Sequence, residues 1–197
     1  MKDKTNEIIR LFQRNNGYIR TKQLKEANIH PYHLQKLLKQ GKVEKIKRGF
    51  YHLKEYSDNE IILVQKLVPA GIFCTFTAWN YYELTTYQPF EYHIAIEKKQ
   101  KVTLPEYPPV KLYYWDKNIF HLGQTTVEIE QGQIRIYDME RSVCDAVRLR
   151  NKIGKDIMLE ILKNYLQRRD RNLSKLLDYA GKLRIKSLIK PYIEALQ

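Results

Sequence analysis

At 197 residues, 43% of them hydrophobic, the chain is long enough to bury a core and has an ordinary globular composition. Its net charge of +13 points to an anionic partner, and the excess is uneven: residues 1–56 carry 14 Lys/Arg against 5 Asp/Glu, a net of +9, while residues 57–197 net only +4. Cys74 and Cys144 fit neither a disulfide framework nor a zinc site, no apolar run approaches membrane-spanning length, and the polar start M-K-D-K-T-N-E predicts no signal peptide and a cytoplasmic protein.

From Thr5, the apolar residues Ile8, Ile9, Leu11 and Phe12 predict a first helix that stops near Asn15-Asn16-Gly17, where Gly17 accepts a left-handed backbone. Tyr18-Ile19-Arg20 reads as a short strand. Thr21 is placed as the N-cap of a helix to about Ala27. Asn28-Ile29-His30 is a turn, and Pro31 suits the first position of a helix to Gln40. At about 100° per residue, Leu34, Leu37 and Leu38 share one sector of that helix. The opposite sector holds Tyr32, Lys36 and Lys39, flanked by Gln35 and His33.

Val43 to Ile46 and Gly49 to Leu53 read as two strands joined through Lys47-Arg48-Gly49. Val43, Ile46, Phe50 and Leu53 supply the buried side, and Lys42, Lys45, Lys47 and Arg48 crowd the strands and tip. Helix, turn, helix and basic hairpin in this order form a winged helix-turn-helix over residues 1–56. Glutamine can read an adenine edge, lysine can reach guanine or phosphate, and a basic wing tracks the backbone. The expected DNA contacts are Thr21, Tyr32, His33, Gln35, Lys36, Lys39, Lys45, Lys47 and Arg48. By itself the second helix is equally well read as a structural helix with a solvated basic face; the adjoining wing favours DNA.

Residues 57–197 read as a second, α+β domain. Ser57-Asp58-Asn59-Glu60 has capping-box form and opens an apolar helix from Ile61 to Val68, stopped by Pro69 and Gly71. Thr75 or Thr77 caps a helix through Leu84, within an aromatic stretch (Phe73, Phe76, Trp79, Tyr81, Tyr82, Tyr87) that reads as packing rather than as a base-stacking platform. Strand signals at Phe90 to Glu97, Val110 to Trp115, Thr125 to Ile129 and Gln133 to Tyr137, the last two flanking a Gln131-Gly132 turn, predict a small, mostly antiparallel sheet of four or five strands. A C-terminal helical bundle follows. Asp138 caps a helix closed at Gly154, Lys155 to Arg168 shows a helical apolar stripe, Asn172 caps the next helix, and a last helix tolerates Pro191 only near its first turn.

Two stretches resemble a known family. K-Q-L-K-E-A-N-I-H-P-Y-H-L-Q-K-L-L-K-Q-G-K-V-E-K-I-K-R-G-F-Y looks like the winged helix-turn-helix of AbiEi-type antitoxins. D-M-E-R-S-V-C-D-A-V-R-L-R-N-K-I-G, with the later L-S-K-L-L-D-Y-A-G-K-L-R-I, is similar to their C-terminal antitoxin region. The family pattern falls on Glu140-Arg141-Ser142, Cys144-Asp145, Arg150 to Gly154 and Tyr179 to Arg184. The resemblance implies a non-enzymatic antitoxin of a bacterial type IV (abortive-infection, phage-defence) toxin–antitoxin system. Such a protein represses its own operon through operator DNA with inverted repeats. It counteracts a nucleotidyltransferase-like toxin, with or without a stable complex, and requires no cofactor or metal.

Other chemistry is weakly represented. Glu97-Lys98-Lys99 has the acid-x-Lys form of restriction-type nucleases, with Glu83 or Glu91 as an earlier acid, but no Pro-Asp pair precedes it. His52, His93 and His121 lack partners at ligand spacing. Ser142 and Asp145 have no nearby histidine, and no glycine-rich phosphate loop is present. Gln167 to Arg171 reads as a solvated basic turn. A ligand-sensing transcriptional regulator is the remaining alternative.

Overall fold

The computed structural model describes residues 2–56, 59–130 and 132–196, and its contacts divide the chain into two units, Met1–Asn59 and Glu60–Gln197. In the first, α1 (Lys2–Arg14) buries Ile8 and Phe12 and ends where Asn16 and Gly17 turn left-handed, at φ 53° and 80°. The chain continues through β1 (Tyr18–Arg20), α2 (Thr21–Glu26), α3 (Pro31–Lys39), β2 (Val43–Lys47) and β3 (Phe50–Leu53). The strands form an antiparallel sheet in the order β1-β3-β2. Leu24, Ile29, Leu34, Leu37, Val43 and Leu53 close on Ile8 and Phe12 as one core.

Gly17 is the tightest point of this unit. A Cβ there would stand 2.6 Å from the Tyr56 Cβ, while a Cβ on Gly41, also left-handed at φ 68°, would meet nothing within 4 Å. Gly41→Ala is therefore expected to cost about 1 kcal/mol for backbone strain alone, and Gly17→Ala about 2–3 kcal/mol once displacement of Tyr56 is added. Urea unfolding of the two variants checks this, since equal midpoints would remove the steric contribution.

Two local expectations change. Thr21 is the first residue of α2 rather than its cap: Arg20 is still extended (φ −101°, ψ 151°) and occupies the cap position. The Arg20 backbone N–H donates to Gln23 Oε1 at 2.7 Å, and Gln23 Nε2 donates to Asn15 Oδ1 at 2.7 Å. In the wing, Lys45 pairs with Tyr51 and Lys47 with Phe50, leaving Ile46 as a bulge. The extra residue breaks the two-residue period. Ile46 is consequently only half-buried, and His52 goes inside instead, stacked on Tyr18 with ring centroids 4.4 Å apart.

The second unit begins with α4 (Glu60–Leu67). The capping box expected at its start rests on Ser57 and Asp58, which lie outside the described residues. Next come β4 (Ile72–Phe73), α5 (Thr75–Tyr81), β5 (Tyr92–Glu97), β6 (Val110–Trp115), α6 (Lys117–Phe120), β7 (Gln124–Ile129) and β8 (Gly132–Tyr137). The sheet order is β6-β5-β4-β8-β7, and two of its four pairings are parallel. The sheet is thus mixed rather than mostly antiparallel. One parallel pairing joins β5 to β6 along their whole length, and the other comes from β4, whose two residues are hidden in the aromatic stretch yet sit at the centre, pairing Phe73 with both Ile94 and Ile136. The β7–β8 hairpin forms as expected, with Gln131 itself outside the described residues.

Strand β5 is covered on both faces. His93, Ile94, Ala95 and Ile96 are all buried, so its apolar–polar alternation does not mark a solvated face. His93 survives inside because its neighbours satisfy it. Its Nδ1 lies 2.7 Å from Thr75 Oγ1 and 3.1 Å from the Tyr113 hydroxyl, and its backbone N–H donates to Thr77 Oγ1 at 2.8 Å. Neither threonine caps α5: Cys74 holds the cap position, and Thr75 opens the helix at φ 43°.

Helices α7 (Met139–Ile153), α8 (Lys155–Gln167), α9 (Leu173–Lys182) and α10 (Lys186–Leu196) build the bundle. Asp138 and Asn172 cap α7 and α9 as expected, accepting from the Arg141 and Lys175 backbone N–H groups at 2.9 and 3.0 Å. Pro191 departs from expectation. It lies inside α10, beyond the first turn. The core joins Phe76 and Trp79 of α5 to Val143, Val147, Ile161, Leu162, Tyr165, Leu176 and Ile189.

Candidate nucleic-acid interface

Helix α3 is positioned by its own two ends. His30 Nδ1 accepts from the Tyr32 backbone N–H at 3.2 Å, Pro31 occupies the first turn, and the Lys42 N–H reaches back to the Leu37 carbonyl at 3.1 Å. Leu34 and Leu37 are buried against the core. Tyr32 is 57% exposed, and Gln35 and Lys39 are also exposed. His33 and Lys36 are half-buried, so the most open face of α3 is Tyr32, Gln35 and Lys39, with Lys36 partly covered. No acidic residue stands on α3.

The wing follows directly. Lys45 on β2 and Arg48 at the tip are exposed, and Gly49 makes the turn at φ 75°. Thr21 lies beneath that turn, its backbone N–H donating to the Gly49 carbonyl at 2.9 Å. Because β3 lies between β1 and β2, Phe50 pairs with Arg20 on one side and Lys47 on the other. The Arg20 guanidinium sits 5.0 Å from the Phe50 ring centroid. Partial burial, followed by the charge of Arg20, pulls the Lys47 ammonium below its usual range.

Arg20 was absent from the sequence-derived contacts. Its signal was there, a cation ending a strand, but nothing in the sequence pairs that strand with the wing. The sheet brings Arg20, Thr21, Lys47 and Arg48 to one end of the hairpin, where like charges held together are relieved by an anion.

The family model described as "Transcriptional regulator, AbiEi antitoxin" matches residues 6–54. Those residues form an AbiEi-family domain. The match runs from within α1 through the end of β3, so the AbiEi-type head comprises the three helices and the wing just described. It does not reach Asp138–Arg184, the second of the two stretches that resemble the family. No curated protein matches the chain. Among solved structures, the RV2827C protein from Mycobacterium tuberculosis is similar over 93% of this chain and 77% of its own, with 11% identity and a TM-score of 0.49.

Beyond the AbiEi-type head, the second unit places the residues at the start of α7 in its interior. Of the resemblance-bearing residues, Glu140, Arg141, Ser142, Cys144 and Asp145 are all buried. Asp138 accepts from the Tyr179 hydroxyl at 3.0 Å and pairs with Lys175 at 3.0 Å; Glu140 pairs with the same lysine at 3.1 Å. The two quoted blocks therefore meet, and Glu140 to Asp145 are interior, whereas Asn151, Lys152, Gly154, Gly181, Lys182 and Arg184 remain exposed. Burial pushes both thiols upward, leaving Cys74 and Cys144 protonated.

The acid-x-Lys reading loses Glu91 as its earlier acid. Glu91 and Glu97 bracket β5, a separation of about 20 Å at roughly 3.3 Å per residue, too far to share a metal ion. Among the described residues no group of three His, Cys, Asp or Glu is placed to hold a metal ion. Thr75, His93 and Glu91 lie in series at a strand-to-helix turn, but Thr75 is 1% exposed and His93 stands 3.6 Å from the carboxylate. A substrate has no path to that hydroxyl. No helix among the described residues is long and apolar enough to cross a membrane.

Proposed function

We propose that the chain is an antitoxin and autorepressor of a type IV toxin–antitoxin system, acting in phage defence from the cytoplasm. Its head binds operator duplex with α3 in the major groove and the β2–β3 wing on the phosphates. The supporting observation is α3 itself: Leu34 and Leu37 face inward, Tyr32, Gln35 and Lys39 face solvent, and a basic hairpin adjoins them within the segment that matches the family. Gln35 has the bidentate amide that reads adenine, and Lys39 reaches guanine or phosphate. Thr21, His33, Lys36, Lys45, Lys47 and Arg48 complete the contact set, and Arg20 joins it. The second unit, residues 57–197 in the sequence reading, counteracts the nucleotidyltransferase-like toxin.

A gel-shift titration with the DNA upstream of the gene tests the groove-facing assignment. Lys36→Ala combined with Lys39→Ala is expected to weaken binding at least tenfold at matched salt, with the melting temperature nearly unchanged. Unaltered affinity would place the interface elsewhere. The same double variant, co-expressed with the product of the neighbouring gene, is expected still to restore growth, because the two activities reside in different units. Loss of rescue would overturn that division.

A further inference from the structure

An acidic, aromatic-walled cavity stands out on a chain whose net charge is +13. It measures about 370 Å³, at the small end of ligand-sized cavities, and Glu60, Asn80, Tyr81, Phe90, Glu91 and Tyr92 contribute to its lining, with no lysine or arginine among the lining residues. Phe90 is 99% exposed and Tyr81 40%. Tyr107, 66% exposed, donates its hydroxyl to Glu60, as does Tyr92 at 3.2 Å. Glu91 is already paired with Lys111 at 3.0 Å, whereas the Glu60 carboxylate meets no cation among the described residues. Asn80 Oδ1 accepts no hydrogen bond there either. Burial, then the Glu60 charge, pushes the Tyr92 phenol up to about 12, so it remains a donor to the carboxylate.

We propose that this cavity receives an arginine side chain presented by a polypeptide partner, with Glu60 taking the guanidinium and Phe90, Tyr81 and Tyr92 forming its walls. The charge complementarity is local: a recess with two carboxylates, no cationic side chain in its lining and aromatic faces around it fits a group that is all donors, planar and cationic. A guanidinium stacks on aromatic rings, forks onto a carboxylate and sheds its water more readily than an ammonium. Tyrosine, exposed around the recess, and arginine are both enriched among the residues that dominate protein interfaces, and such residues tend to meet one another across them. The proposal is independent of the DNA-binding head.

Titrating the full chain by NMR with N-acetyl-arginine amide, N-acetyl-lysine amide and the neutral isostere N-acetyl-citrulline amide tests it. The arginine probe is expected to perturb Phe90, Tyr92 and Tyr107 with saturable behaviour, and to bind at least fivefold tighter than either of the others. Glu60→Gln is expected to weaken it at least tenfold and Phe90→Ala at least threefold. Since Phe90 is 99% exposed, its loss leaves folding intact and keeps the test valid should the Glu60 variant misfold. The heptapeptide Gly-Ser-Gly-Arg-Gly-Ser-Gly is expected to bind no more weakly than the amide. Equal binding of citrulline, preference for lysine, or indifference to both substitutions would overturn the guanidinium assignment. A heptapeptide much weaker than the amide would overturn the polypeptide source.

Discussion

Replacing Arg141 with alanine is expected to destabilise the second unit by about 3–5 kcal/mol, the cost of breaking a buried ion pair by removing one partner. Arg141 is fully buried. Its Nε donates to Asp145 Oδ2 at 3.1 Å, and its Nη1 donates to the Ile119 and Leu122 carbonyls at 2.6 and 2.7 Å. Its guanidinium lies 4.7 Å from the Trp115 ring centroid and 4.5 Å from that of Tyr137. Alanine would leave two buried carbonyls unmet and a void between two aromatic rings, and would weaken the anchorage of the α6–β7 connection.

Arg141→Lys is expected to lose nearly as much, because an ammonium cannot serve a carboxylate and two carbonyls while stacking between rings. Arg148→Ala is the control: its side chain is 23% exposed, and although it reaches Asp145 at 2.7 Å, Arg141 remains to neutralise that carboxylate. Thermal unfolding should show a drop of about 10 °C or more for the Arg141 variants and a small shift for Arg148→Ala. Similar shifts for all three would mean that the buried network carries no special weight.

Operator affinity is expected to fall steeply with salt. If the head neutralises about six phosphates, log affinity declines against log salt with a slope near −5. Removing the two open wing cations by Lys45→Ala and Arg48→Ala should bring the slope to about −3.5 and weaken binding on every sequence alike, since phosphate contacts position without specifying. Arg20→Ala should act in the same sense, shallowing the slope by about one contact while returning Lys47 toward its ordinary range by removing a neighbouring charge. A Gln35→Ala change, by contrast, should relax base preference at one position and leave the slope unchanged. A slope unaffected by the wing substitutions would exclude the hairpin from the phosphate contacts.

Much of the head was legible because its signals are local. The Leu34–Leu37 stripe, Pro31 at a helix start, Gly17 after a helix end and Gly49 in a hairpin each act within a few residues, and a charge excess needs only counting. Asp138, Gly154 and Asn172 were readable as helix boundaries for the same reason: a cap bonds its own first turn. The errors arose where distant segments decide. Ile46 and His52 exchanged roles because a bulge depends on how β2 registers against β3. The mixed sheet escaped because strand direction is set by long-range pairing: β6 lies parallel to β5, and Phe73 has value only between Ile94 and Ile136, residues far along the chain. The burial of both faces of β5 was not legible in its alternation, because α5 and its threonines cover His93 from elsewhere in the chain.

By itself, then, the sequence of this protein determined a basic winged head, an α+β second unit and an AbiEi-type likeness in the head, all carried by periodicity, capping and charge over short spans. Only the tertiary structure decided which cations share a surface, that the Asp138–Asp145 block is interior, and that an acidic aromatic recess exists on a basic chain. These are long-range properties: a side chain's exposure and electrostatic neighbours are set by which elements pack together, and neither is encoded in the spacing of residues along one of them.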